Sequence, residues 1–381
     1  MFAFSARYGS NSSMDLLEYA KYHMDATSIV GMNYLTWIEM GNEPDGAWNG
    51  IHNYYSAYQL AALTSAAYDG HCRTMVSSET SKGYHLGLKN GDPNIRGAMA
   101  GVSAVSNEYI TAMCYWMKAN RQDGKTAFDA FNVHYYMAKS ITLPNGSTTT
   151  VGISPEEGNI KGVLSKLVAY RDKYYGEKEV WITEFGWDTN QSYATATSAH
   201  GYENKDTGVS YTGREVQAMW LTRAYLLISS TGVDKATMYM CEDCGVEELS
   251  VGKYGTSGVI GYMYDENGNT VEFKKESYYY LYTLKNTLGN YTFNQEIEAY
   301  DENVMIYQYK TADGKIAYAV WCKTSDGTVS NNYQLRIDGN SATLVENQHE
   351  DIDGVQSKLV ADELGYVSIN VSEKPIYILV D

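Results

Sequence analysis

Ile38-Glu39-Met40-Gly41-Asn42-Glu43-Pro44 is an apolar run that ends on a glutamate and breaks at a proline. Val180-Trp181-Ile182-Thr183-Glu184-Phe185-Gly186-Trp187 repeats the design further along, with glycine in the break. Bulky apolar residues bounded by turn formers predict buried strands, so each stretch sets a carboxylate at a strand's carboxyl end. Either glutamate alone reads equally well as an ordinary strand-end residue. The repetition is the informative part.

Outward from these two strands, residues 1–290 alternate strand-like and helix-like stretches. Strands are expected at 2–6, 34–40, 95–102, 128–134, 179–184 and 235–240. Helices are expected at 14–30, 56–67, 107–118, 155–175, 214–230 and 276–288. Ser154-Pro155-Glu156-Glu157 is a capped start with proline at the first helical position. Residues 188–212 and 242–262 read as long polar loops. Helices between successive strands imply βαβ units and a parallel sheet. No strand-to-helix turn carries the glycine-rich phosphate fingerprint, which argues against a nucleotide-binding open sheet. A (β/α)8 barrel fits better, and such barrels carry their reactive groups at the carboxyl ends of the strands. Beyond residue 290 the helical period disappears. Runs at 304–309, 316–321, 333–337, 342–345, 367–371 and 375–380, with Asp313-Gly314 and Asp338-Gly339 as turns, predict an antiparallel β-sandwich. The expected architecture is therefore α/β: a barrel domain over 1–290 and a sandwich over 291–381.

The chain has 381 residues and a formal net charge of −17, with no basic stretch. That excludes nucleic acid and anionic membranes as natural partners and is compatible with a neutral polymer such as a polysaccharide. No segment is apolar enough to span a membrane. The 36 tyrosines suit either strand packing or stacking on sugar faces. Cys241 and Cys244 form a single C-x-x-C, read as free thiols beside a strand end. Asp265-Glu266-Asn267-Gly268-Asn269 lacks the spacing of a calcium loop and is expected to be a hairpin turn. Neither a metal nor a cofactor is expected.

Counting 235–240 as the eighth strand, Glu43 ends the fourth and Glu184 the seventh. Asn42-Glu43-Pro44 after strand four and a glutamate closing strand seven resemble the signature of glycoside hydrolase clan A, the retaining 4/7 superfamily of (β/α)8 barrels. Thr183-Glu184-Phe185-Gly186-Trp187-Asp188, the tyrosine-rich 278–282 stretch and the sandwich look closest to family 39-like or related bacterial endoglucanase-type proteins. The sandwich is also similar to that of families 30, 44 and 51.

The resemblance implies Glu43 as acid/base and Glu184 as nucleophile. Asn42 would bind the sugar 2-hydroxyl. His134 and Tyr136, in Asn132-Val133-His134-Tyr135-Tyr136, match the His-x-Tyr that follows strand six, and Tyr136 would lie close to Glu184. Trp187, Trp48 and Tyr239 are candidate sugar platforms. Arg7, Glu242 and Asp243 are further candidates at the barrel mouth, whereas Trp37 and Trp181 belong to the core. The chemistry agrees with this division of labour. One carboxyl must carry a proton for the leaving group while the other is ionised to attack the anomeric carbon, at roughly 5–5.5 Å for retention.

The expected function is retaining hydrolysis of β-glycosidic bonds in a plant-type polysaccharide, as an endo-β-1,4-glucanase or xylanase. The competing reading is a non-catalytic glycan-binding protein derived from a glycosidase. Only strands three to eight of the barrel are visible, so an N-terminally truncated barrel is expected. Its open edge would favour self-association and weaken activity. The start carries no signal peptide, although a full-length relative would be secreted.

Overall fold

The computed structural model describes residues 1–13, 29–75, 87–192, 197–249 and 252–381. The chain packs as two compact units, residues 1–135 with 166–183, and residues 136–165 with 184–381. These limits differ from the expected division at 290/291. The expected helix at 14–30 lies almost wholly outside the described residues.

In the first unit, strands Trp37–Glu39, Arg96–Ala98, Ala130–His134 and Glu179–Glu184 lie side by side in that order. Pairing is parallel between the first three, and isolated bridges Asn42–Gly101 and Val102–Val133 carry it beyond the regular strands. Ala98, Ala130 and Trp181 form a core under Trp37, whose ring centroid lies 4.4 Å from that of Trp181. This is the α/β architecture expected for the N-terminal part.

The expected strand at 2–6 is instead a helix, Phe2–Tyr8. Phe2, Phe4 and Ala6 can be read with a period of two, but Phe4 is exposed while Phe2, Ser5 and Ala6 are buried. That is helical spacing. Ser5 secures the turn by donating its hydroxyl to Phe2 O and Leu88 O at 2.9 and 2.8 Å. Among the described residues the first strand is therefore Trp37–Glu39, and the sequence positions read as strands three to eight reduce there to four to eight. Arg7 moves with this correction. It sits in the last turn of a helix, over the Tyr8 ring, rather than at a strand end.

The helix Ala57–Arg73 begins with a capping box between Ser56 and Gln59 and buries Leu60, Ala61, Thr64 and Ser65. Its backbone leaves helical geometry at Asp69–Cys72. Buried Arg121, just past helix Asn107–Asn120, donates to both oxygens of Asp69 at 3.0 and 2.8 Å.

In the second unit, Ser154 accepts the Glu157 N–H as expected, but the regular helix opens only at Ile160 and runs to Tyr174. The expected strand at 235–240 is regular only over Lys235–Ala236. Two expected loops contain strands. Tyr202–Asn204 pairs with Val209–Tyr211, and Glu242–Val246, Ile260–Tyr264 and Thr270–Lys274 form a three-stranded sheet. Their polar composition concealed them, because much of each strand faces solvent. Asp265-Glu266-Asn267-Gly268-Asn269 is the hairpin turn of that sheet.

Helix Gly213–Ser229 is buried on nearly every side from Val216 to Ile228. Beyond it stands an antiparallel sheet ordered Thr292–Ile297, Val304–Lys310, Ile316–Cys322, Ile376–Val380, Ser341–Gln348 and Asp351–Val360. A two-stranded layer, Ser330–Arg336 with Tyr366–Val371, covers it. Val304, Ile306, Val320, Leu335, Ile369 and Ile378 fill the core between them. Glu156 joins the pieces. It accepts from Arg223 Nε at 2.9 Å and from Trp321 Nε1 at 2.7 Å, while Arg223 also donates to Thr324 O. No helix among the described residues is long and apolar enough to cross a membrane.

Candidate active site

Glu43 follows the strand Trp37–Glu39 in a turn with φ +43°, unusual for a residue with a side chain. The turn is held by Glu43 N–H donating to Gly101 O at 2.8 Å and by Glu43 O accepting from Gly46 N–H at 3.0 Å. Its half-buried carboxylate meets the imidazole of His134, Nδ1 to Oε1 at 2.9 Å. His134 ends its own strand fully buried, and its Nε2 lies 3.1 Å from Thr183 Oγ1 and 3.8 Å from Glu39 Oε1. Thr183 in turn donates to Asn132 Oδ1 at 2.9 Å. Glu43, His134, Thr183 and Asn132 thus form one polar chain across the sheet.

The small-residue strand makes room for that chain. A Cβ on Gly101 would lie 2.1 Å from His134 Nε2 and 2.8 Å from Glu39 Oε1. Gly101 N–H also donates to Glu39 Oε1 at 3.1 Å. Sequence reasoning did not select Glu39, Thr183, Asn132 or Gly101. The available signal was position: each lies on a strand or just past its carboxyl end, within a few residues of a selected group. Asn42 is exposed and bridges to Gly101 through its backbone.

The second unit carries Glu184, the last residue of Glu179–Glu184. Tyr136 donates its phenol to Glu184 Oε2 at 2.9 Å. The Tyr136 ring lies 4.5 Å from that of Tyr254, which meets Tyr239 edge-on at 6.2 Å. Burial raises the Tyr239 phenol, and the charges of Cys244 and Glu184 add to the effect. The turn after Glu184 needs Gly186, because a Cβ there would stand 2.3 Å from Tyr239 O. Tyr254, also missed from sequence, lies in the 242–262 stretch that reads as featureless polar loop.

Two expectations are corrected. Trp187 is fully buried, donates Nε1 to Ile153 O at 2.9 Å and packs edge-on against Trp220. It is a core residue, not a sugar platform. Asp243 is buried against Lys275 Nζ at 2.7 Å and serves its sheet, whereas Glu242 is exposed and accepts from Tyr262 Oη at 3.0 Å. Trp48, by contrast, is exposed, while Trp181 is buried as expected.

No family profile matches the chain, and no curated protein matches it in sequence. Solved structures do. The chain is similar to a family 39 glycoside hydrolase from Bacteroides cellulosilyticus, with 19% identity and a TM-score of 0.58 over 96% of this chain and 60% of that one. It is also similar to a family 51 arabinofuranosidase from Xanthomonas axonopodis, at 11% identity and a TM-score of 0.54 over 100% of this chain and 72% of that one. A family 30 endoxylanase from Clostridium papyrosolvens gives 12% identity and a TM-score of 0.51 over 96% and 69%.

The fold is the one shared by these family 39, 51 and 30 glycoside hydrolase structures. The chain spans 60% of the length of the family 39 structure.

Proposed function

We propose that the protein is a retaining glycoside hydrolase of β-linked plant-type polysaccharides, with endo-β-1,4-glucanase or xylanase activity. The observation that carries the reading is the unequal partnering of two strand-end carboxylates. Glu184 receives the Tyr136 phenol, a donor that stabilises an ionised nucleophile. Glu43 faces His134, a partner able to give or take a proton.

In this mechanism the Glu184 carboxylate attacks the anomeric carbon as its bond to the leaving oxygen breaks, and Glu43 supplies the proton that oxygen needs. Glu43 then takes a proton from water. The resulting hydroxide equivalent displaces Glu184 and restores the starting state. Asn42 would contact the sugar 2-hydroxyl, with Tyr136, Tyr239 and Trp48 lining the substrate path. A similar structure, a bifunctional glucanase-xylanase from a metagenome library at 11% identity, is compatible with either polymer.

A 2-deoxy-2-fluoro glycoside tests the assignment. Mass spectrometry should show one sugar added to the peptide bearing Glu184, and Glu184→Gln should abolish both labelling and turnover. Glu43→Gln should lose polymer hydrolysis yet cleave an activated aryl glycoside when azide is added. Labelling on another residue, or wild-type protein that hydrolyses nothing, would sink the proposal.

A further inference from the structure

The strand Glu179–Glu184 continues through Gly186 and Trp187 to Asp188, whose carboxylate is completely buried. Most of what that carboxylate accepts comes from one short stretch of chain. Asp188 Oδ2 accepts the Tyr254 N–H at 3.0 Å, and Oδ1 accepts the Thr256 N–H at 3.0 Å and the Thr256 hydroxyl at 3.1 Å. Thr197 adds its hydroxyl to Oδ2 at 3.1 Å. The neighbouring residue repeats the grip. Thr189 N–H donates to Thr256 O at 3.1 Å, and Lys275 Nζ donates to the same carbonyl at 3.0 Å. A buried carboxylate is costly unless its oxygens are satisfied, so this one fixes the 254–256 backbone to the segment that follows Glu184.

Tyr254 is the side chain this clasp presents. Its φ of +63° is uncommon for a residue with a bulky side chain, and Ser257 donates its hydroxyl to Tyr254 O at 2.8 Å. The Tyr254 ring lies 4.5 Å from the Tyr136 ring, tilted by 41°, and meets the Tyr239 ring at 86°. Tyr136 reaches Glu184 through its phenol alone, at 2.9 Å. A tyrosine can leave such a bond by a turn about χ1, and a second ring packed against it restricts that turn. We propose that Asp188 and Tyr254 are positioning residues: Asp188 holds the 254–256 turn, and the Tyr254 ring backs Tyr136 so that its phenol stays on Glu184. Both act through Tyr136 rather than on the sugar. This role rests on Glu184 as nucleophile.

The test follows inactivation of the full chain by activated 2-deoxy-2-fluoro glycosides of cellobiose and xylobiose. The limiting rate reads attack by the nucleophile, and the half-saturating concentration reads sugar binding. Tyr254→Leu should slow the limiting rate about tenfold, since small misplacements of reacting groups are costly, while half-saturation moves less than about twofold. Tyr254→Phe keeps the ring and should recover the rate to within about threefold of the parent. Asp188→Asn, which turns one accepting oxygen into a donor, should slow the reaction as Tyr254→Leu does. If Asp188→Asn does not fold by circular dichroism, Tyr254→Leu carries the comparison. Combining Tyr136→Phe with Tyr254→Leu should cost less than about twofold beyond Tyr136→Phe alone, because both losses pass through one phenol.

A limiting rate that Tyr254→Leu leaves unchanged overturns the positioning role. So do an equal loss in Tyr254→Phe, losses that add in the double variant, or a change confined to half-saturation, which would make Tyr254 a sugar contact. Failure of the underlying reading looks different. A parent chain that takes no label on Glu184 removes the nucleophile and the positioning role together, whereas label on Glu184 at a rate indifferent to Tyr254 removes the positioning role alone.

Discussion

At the scale of single residues, the two glutamates differ by what touches them. The Tyr136 phenol donates to Glu184 and favours its ionised form, whereas the His134 imidazole can stand beside Glu43 as a donor or an acceptor. His134 is itself held from behind by Thr183, so its ring cannot swing away from Glu43 without breaking a buried contact. Removing the phenol in Tyr136→Phe should lower kcat roughly 10- to 100-fold, the rate equivalent of ~1.5–3 kcal/mol for a hydrogen bond to a charged group. The unfolding midpoint should stay put, because the ring and its contact with Tyr254 remain. Steady-state kinetics beside a thermal melt checks both halves of the expectation.

At the scale of elements, charged residues hold helices and loops in place, and two of them make measurable predictions. Burial alone would raise the Asp123 carboxyl, but hydrogen bonds from Arg121 and from Lys125 N–H outweigh it and hold it down at about 2. A carboxyl lowered on folding adds stability above its unfolded value and loses it as pH falls towards the folded value. The Asp123 contribution should therefore be complete above about pH 4 and fade towards pH 2. Asp123→Asn should lower the urea midpoint at pH 7 and make little difference near pH 2. In the second unit, Arg223 is fully buried and leans on Glu156. Glu156→Ala strands that guanidinium and the Trp321 indole together, with an expected loss of about 3–5 kcal/mol by equilibrium denaturation. Truncating an exposed carboxylate such as Glu177 should cost far less.

At the scale of the whole molecule, charge and composition set what the protein can meet. A chain at −17 with no basic stretch in its sequence is poorly suited to displacing counterions from a phosphate backbone. Affinity for xylan or another neutral glycan should accordingly change less than about twofold between low salt and physiological salt, where a polyanion binder would lose orders of magnitude. Affinity electrophoresis at two ionic strengths decides it.

Alternation of strand and helix, the change to β structure after residue 290 and the two strand-end glutamates were all legible in the linear chain. Each is written in local periodicity and in the residues that end it, which neighbours in sequence decide. The helix at Phe2–Tyr8 was not legible, because seven residues fit both periods and only the burial of Phe2, Ser5 and Ala6 chose between them. The sheet built from 242–274 was hidden for the converse reason: its strands face solvent and carry polar residues. Trp187 shows the limit most plainly. Three residues past Glu184 its ring reads as well for a cleft as for a core, and the direction in which it points depends on Ile153 and Trp220, which are far away in sequence. The chain by itself determined that two glutamates close strands and in what order those strands come. Tertiary packing decided the imidazole on Glu43, a distance in space that no spacing in sequence encodes, while the phenol near Glu184 was expected only through the family resemblance.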